Sequence, residues 1–258
     1  MPVSYGEHDP APELRGHFSS YWIFRAEAPL PDAFQHSVPP DGAVSVASGP
    51  GGPTLVLGPR TEPFRPQVWE GQLLYGARFW PGAAGAVLGD VSRLVNRVLP
   101  LVDVLREAEA RRWSEALSDR PDDEAAVLQL DALCAPLVER SGPLDQPVIA
   151  AVLAIVEAPA RTGVSALAAA SGLSERQFRR RFVAAVGLTP KEFARVRRLR
   201  LSLLDALARR EARWGDVAAA GGYADQAHLV REYRRLCGLR PQAFREHLGR
   251  IRHGRVTS

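Results

Sequence analysis

The sequence predicts an α+β protein with three parts: a mainly-β domain over residues 1–88, a helical middle segment over 89–157, and an all-α domain over 158–258. The last part is read as two helix-turn-helix units joined by a long helix. Three observations carry this prediction. The texture of the chain changes near residue 88, from short apolar runs broken by Pro, Gly and Asp to helical periodicity. The charge is opposed: residues 160–258 hold 21 basic and 8 acidic residues, a net +13, while the first 159 hold 12 and 21, a net −9. And the last third repeats itself. Phe178, Phe182, Gly187, Leu188, Pro190 and Phe193 recur 51 residues later as Leu229, Tyr233, Gly238, Leu239, Pro241 and Phe244.

The β reading of the first part rests on SSYWIFRA, AVSVAS, TLVLG and QLLYGARFW, whose spacing suggests a sandwich or a barrel. The acidic start has no basic-then-apolar leader pattern, and no apolar run reaches the ~20 residues of a membrane helix, so a soluble, cytoplasmic chain is expected. In the middle part, Val91, Leu94, Val95 and Val98 fall at helical spacing, and Leu94, Val98, Leu101 and Leu105 continue a stripe across Pro100. Val127, Leu130, Leu133, Cys134 and Leu137 make a second stripe. These faces point to a homodimer as readily as to an internal core. EAPARTG, at 157–163, is the linker candidate. Cys134 and Cys237 fit no metal or redox spacing and are read as reduced packing residues.

Each repeat has the grammar of a helix-turn-helix. A small-residue helix meets Gly172 or Gly222, which supplies the positive φ of the turn, and a second helix follows. Ser174 and Gln177 form a capping box in the first copy, and Asp225 is the N-cap in the second. Phe178 and Phe182, four apart, point inward and so fix the rotation of their helix. That rotation presents Arg176, Arg179 and Arg180 outward, with Arg181 at the flank. In the second copy Gln226, Ala227, Val230 and Arg231 point outward. An arginine fork pairs with guanine in the major groove, Gln with adenine, and an apolar group with the thymine methyl. Arg176, Gln177, Arg179, Arg180, Gln226, Ala227, His228, Val230 and Arg231 are therefore the base-reading candidates. Arg181, Arg195, Arg198, Arg234 and Arg235 are the phosphate candidates. Between the copies, Thr189, Pro190 and Glu192 start a helix whose stripe of Phe193, Val196, Leu199, Leu203, Leu204 and Leu207 makes it a rigid spacer. Two reading helices on one face of a duplex stand roughly 34 Å apart.

The stretches ALAAASGLSERQFRRRFVAAVGLTPKEFARVRRL and DVAAAGGYADQAHLVREYRRLCGLRPQAFR resemble the doubled DNA-binding domain of the AraC/XylS family of bacterial transcription regulators. The resemblance covers the C-terminal hundred residues. It implies sequence-specific promoter binding to double-stranded DNA, typically as an activator, with RNA polymerase as a further partner. In the first part, HSVPPDGAVSVASG and YGARFWPGAAGAVLG resemble an uncharacterised N-terminal domain often joined to such DNA-binding domains, expected to be cupin-like. Ser45 stands where that resemblance implies an acidic residue, and Trp80 where it implies arginine. A small-molecule effector is a candidate partner. Its candidate pocket is Trp22, Phe24, His36, Asp41, Tyr75, Arg78 and Trp80, residues that pack a small β core equally well.

Catalysis is not expected. The six histidines form no H-x-H pair, only three lie in the first part, and no nucleophile elbow, phosphate loop or dinucleotide fingerprint is present. No cofactor, metal or catalytic residue is assigned. Two other readings stand beside the effector-responsive regulator: a DNA-binding regulator controlled by a protein partner, and a cupin-like enzyme fused to a DNA-binding domain.

Overall fold

Strand β2 (Phe18–Ala26) explains the layering. Its centre, Tyr21-Trp22-Ile23-Phe24, is apolar without alternation, and all four residues are buried. A strand of this kind needs cover on both faces. Tyr21 and Ile23 face one way and Trp22 and Phe24 the other. Opposite Trp22 stands Gly76 of β5 (Leu73–Phe79), and a β-carbon there would lie 2.1 Å from the indole Cε2, so only glycine lets the ring lie on the strand.

The computed structural model describes residues 3–27, 30, 36–161, 163–209 and 212–254; Thr162 of the expected linker lies outside these. A single seven-stranded sheet forms the middle layer, rather than a two-sheet sandwich. Beside β2 and β5 it contains β1 (Val3–His8), β3 (Ser45–Ser48), β4 (Leu55–Leu57), β6 (Val98–Pro100) and β7 (Ile251–His253), in the order β6-β4-β3-β5-β2-β1-β7. A short helix, α1 (Ala84–Leu88), follows β5. The first six strands are antiparallel neighbours. β7, from the far end of the chain, runs parallel to β1 with Val3 opposite Ile251 and Tyr5 opposite His253.

The Tyr21 face is covered by α2 (Glu107–Ala116) and α3 (Asp123–Glu139), through Trp113, Leu130, Cys134 and Leu137. Two buried phenols anchor this layer. Tyr21 donates to Asp131 at 2.8 Å and Tyr75 to the Pro121 carbonyl at 2.7 Å. The Trp22 face is covered by the C-terminal helices, which are α4 (Gln146–Glu157), α5 (Val164–Ala170), α6 (Glu175–Val186), α7 (Pro190–Ala208), α8 (Trp214–Ala220), α9 (Gln226–Cys237) and α10 (Pro241–Gly249). Val3, Trp22, Phe24 and Ala47 share one core with Phe193, Val196, Leu199, Phe244 and Ile251.

The sequence expectation of a helix from about residue 89 is overturned in its first part. Val91–Leu94 and Leu101–Asp103 are single 3-10 turns, and between them β6 pairs with β4. Pro100 has no N–H to give a helix and suits an edge strand, and Asn96 at φ 57° breaks the helical path. The stripe through Leu94, Val98, Leu101 and Leu105 does not form. The second stripe does, on α3, and turns Leu130, Cys134 and Leu137 inward. Helix α4, which falls in the expected middle segment, places Val148, Ala151, Val152 and Ile155 in the core of the C-terminal helices. No helix among the described residues is long and apolar enough to cross a membrane.

Candidate nucleic-acid interface

The two repeats fold as two like units. In the first, Leu167 and Ala168 of α5 are buried with Phe178 and Phe182 of α6. In the second, Val217 and Ala218 of α8 are buried with Leu229 and Tyr233 of α9. Gly172 and Gly222 turn the chain at φ 64° and 68°, the left-handed region in which a β-carbon is strained. Ser174 and Gln177 close their capping box, as do Thr189 and Glu192 at the start of α7. Asp225 caps α9 by accepting from the His228 N–H at 2.6 Å.

Burying the two phenylalanines leaves Arg176, Arg179 and Arg180 exposed on α6. Arg179 makes only an exposed pair with Glu175 at 3.2 Å, worth little in water. Gln177 is differently placed from these three: its carbonyl oxygen accepts from the Ser174 N–H at 3.2 Å and hydroxyl at 2.9 Å, so it serves the helix start. On α9, Gln226, Ala227 and Arg231 are exposed and Val230 is half-buried. His228 lies edge-on to the Tyr223 ring, 5.3 Å between centroids.

The phosphate candidates divide. Arg234 and Arg235 are exposed. Arg181 instead forks onto Asp145, the N-cap of α4, with two bonds of 2.8 Å, which raise its pKa. Arg195 forks onto Glu232 of α9, which is buried, with its Nε bond at 2.9 Å. Burial alone would raise the Glu232 carboxyl, but the Arg195 hydrogen bonds and charge hold it below the usual value. Arg198 stacks over the Tyr223 ring at 4.8 Å. Glu232 was missed in the sequence because nothing local marks its partner 37 residues away. Two further arginines of α7, Arg197 and Arg200, are buried rather than displayed, Arg197 near Asp41 and Arg78 of the sheet domain. Burial, followed by the like charges of Arg200 and Arg78, pushes the Arg197 guanidinium down to about 10, with Asp41 opposing.

The candidate pocket residues are not all on one side of the sheet. Trp22 and Phe24 face the C-terminal helices. On that side Arg78 pairs with Glu7 at 2.5 Å and Asp41 at 2.8 Å, and His36 lies 5.1 Å from the Phe24 ring. Tyr75 is on the opposite face, under Pro121. Trp80 sits at the end of β5 and donates to the Arg15 carbonyl at 2.8 Å. The two domains also touch away from this face. Ala185 of α6 abuts Gly85, Gly187 abuts Pro59 and Val91, and the Ser37 N–H donates to His247 Nε2 at 3.0 Å. Among the described residues no cluster of three or more His, Cys, Asp or Glu is arranged to hold a metal.

Two helix-turn-helix units on one connecting helix, each with polar or basic side chains along its second helix, define a DNA-binding protein. One family match agrees. Residues 167–247 match the family of the helix-turn-helix domain, and residues 6–100 match a domain of unknown function (DUF6597). The protein is a DNA-binding transcription regulator with a C-terminal helix-turn-helix domain of the AraC type. No curated protein matches the chain. Similar solved structures include ToxT from Vibrio cholerae, 10% identical over 95% of this chain and 97% of that chain, with a TM-score of 0.44. Another is ToxT from the same organism bound to an unsaturated fatty acid, 9% identical over 98% and 97%, with a TM-score of 0.46.

Proposed function

We propose that the sheet domain controls the DNA-reading units through the core they share, and that its signal is a small molecule received on the Trp22 face. One observation supports this above others: the sheet face and the connecting helix α7 belong to one continuous buried cluster. Trp22 and Phe24 belong to the same buried cluster as Phe193, Val196 and Leu199. A ligand that shifts the sheet therefore shifts the spacer between α6 and α9. The Arg78–Glu7–Asp41 network, with Arg197 beside it, supplies the polar groups that would orient such a ligand. Helices α6 and α9 would meet successive turns of one duplex face, and RNA polymerase and a second copy of the chain are further proposed partners. The protein is read as a cytoplasmic regulator with no catalytic step of its own.

The test uses the full chain. A metabolite pool is screened for compounds that raise the melting temperature, since a ligand bound only to the folded state stabilises it. Hits are then added to the protein with a duplex selected from a random library. A hit that changes duplex affinity supports the reading, and hits that leave it unchanged refute control through the sheet.

A further inference from the structure

The two units carry their charge at different heights. Arg176, Arg179 and Arg180 stand at the second, fifth and sixth positions of α6, whereas Arg231, Arg234 and Arg235 stand at the sixth, ninth and tenth of α9. At 1.5 Å per residue this moves the charge about 6 Å toward the C-terminal end of the second helix. In a helix-turn-helix the N-terminal residues of the reading helix touch base edges. At that end α9 offers Gln226, Ala227 and a His228 turned against Tyr223.

Both far ends meet the first domain. On α6 the contacts are Gly85, Pro59 and Val91, with Asp145 on Arg181. On α9 Arg65 donates to the Gly238 carbonyl at 2.9 Å, and Ser37 to that of Cys237. The outward side of α9 carries an exposed groove between α8, α9 and the start of α10, which runs from Gln226, Ala227 and Val230 to Arg231, Arg234, Arg240 and Gln242, with Trp214 as a wall. Arg240 occupies the place of Thr189 in the repeat, yet it makes no capping bond where Thr189 does. Trp214 is held in position: its indole N–H donates to Gln242 at 3.3 Å, and Arg245 stacks on its ring at 4.9 Å.

We propose that this groove takes the sugar-phosphate backbone of one DNA strand, so that the second unit is a backbone clamp and the first unit reads sequence. The inference rests on the protein's binding of duplex DNA. Arg231, Arg234 and Arg240 meet the phosphates, and the indole of Trp214 offers a flat apolar wall to a deoxyribose. Charge complementarity selects this occupant: the lining contains three arginines and no carboxylate.

The experiment compares the full-length protein with its Arg234→Ala/Arg240→Ala and Arg179→Ala/Arg180→Ala variants on a duplex selected with the wild type and on a scrambled one, across a salt series. Both pairs are exposed, and unchanged melting temperatures check folding. The clamp variant is expected to weaken both duplexes by the same factor and to return the same sequence when the selection is repeated. Its slope of log K against log salt falls by about 1.8, so that from 50 to 200 mM salt it loses about 12-fold less affinity than wild type. The α6 variant is expected to lose the selected duplex far more than the scrambled one. An unchanged salt slope, or a changed base preference in the clamp variant, overturns the proposal. Failure of the wild type to enrich any duplex is a different result, and removes the DNA-binding reading along with it.

Discussion

Replacing Arg195 by alanine tests whether this arginine is part of the fold or of the DNA interface. Its guanidinium forks onto Glu232, whose side chain is 8% exposed, while its own is 22% exposed. Arg195→Ala leaves that carboxylate buried without its cation. Breaking a buried pair from one side costs ~3–5 kcal/mol, and the partial exposure of the arginine brings the expectation to about 2 kcal/mol at pH 7. For a chain of this size that is roughly a 4–8 °C fall in melting temperature. The pH dependence has a definite sign. The paired carboxyl lies below its usual value of 4.5, so the pair stabilises the fold above that pH and the contribution is lost as pH falls through the folded value. In the variant, burial raises the same carboxyl, so protonation relieves it. The gap between wild type and variant is therefore widest near neutrality and narrows toward pH 4. Arg195→Met/Glu232→Leu should recover most of the loss. Calorimetry at pH 7 and pH 4, with duplex binding on the same samples, provides the assay. A melting temperature within 1 °C of wild type, together with a shallower salt slope, would refute the reasoning and place Arg195 on phosphate.

Arg180→Ala should cost ~1–3 kcal/mol on the selected duplex and relax preference at one base pair, which binding to single-substituted duplexes would measure. Ile251→Ala removes a 4% exposed side chain that seats β7 beside β1; a loss of ~2 kcal/mol and faster hydrogen exchange at the β1 amides are expected, and unaltered β1 exchange would show that β7 does not hold β1. His36, pushed down to about 4 by burial and then by the nearby His247 and His253, refuses a proton that the unfolded chain accepts near 6.5. Stability is thus lost as pH falls from 6.5 toward 4, by about 2 kcal/mol at pH 5. His36→Phe should remove that part of the acid sensitivity, visible as a smaller difference in melting temperature between pH 7 and pH 5 than in wild type.

Much of the reading half was legible in the sequence because its signals are short-range. A capping box spans four residues, Gly172 and Gly222 mark their own turns, and Phe178 with Phe182 sets the rotation of α6 within a single turn. The outward arginines follow from that rotation without knowledge of anything else. The errors came where a local pattern served two periods. Residues 91–105 are apolar at helical spacing, yet Pro100 and the free edge of β4 made the middle of that stretch a strand. Tyr21-Trp22-Ile23-Phe24 announced burial on both faces but not which layer would cover each. Which of the flanking and connector arginines remain available to DNA was decided by tertiary structure alone. Arg181 and Arg195 look the same in sequence as Arg180 and Arg198, but Asp145 and Glu232 reach them from 36 and 37 residues away. The pairing of β7 with β1 joins the two ends of the chain. Helix periodicity and caps are written within a turn or two of backbone. A contact between distant residues exists only after the chain has closed, and its energy depends on packing that no single stretch encodes.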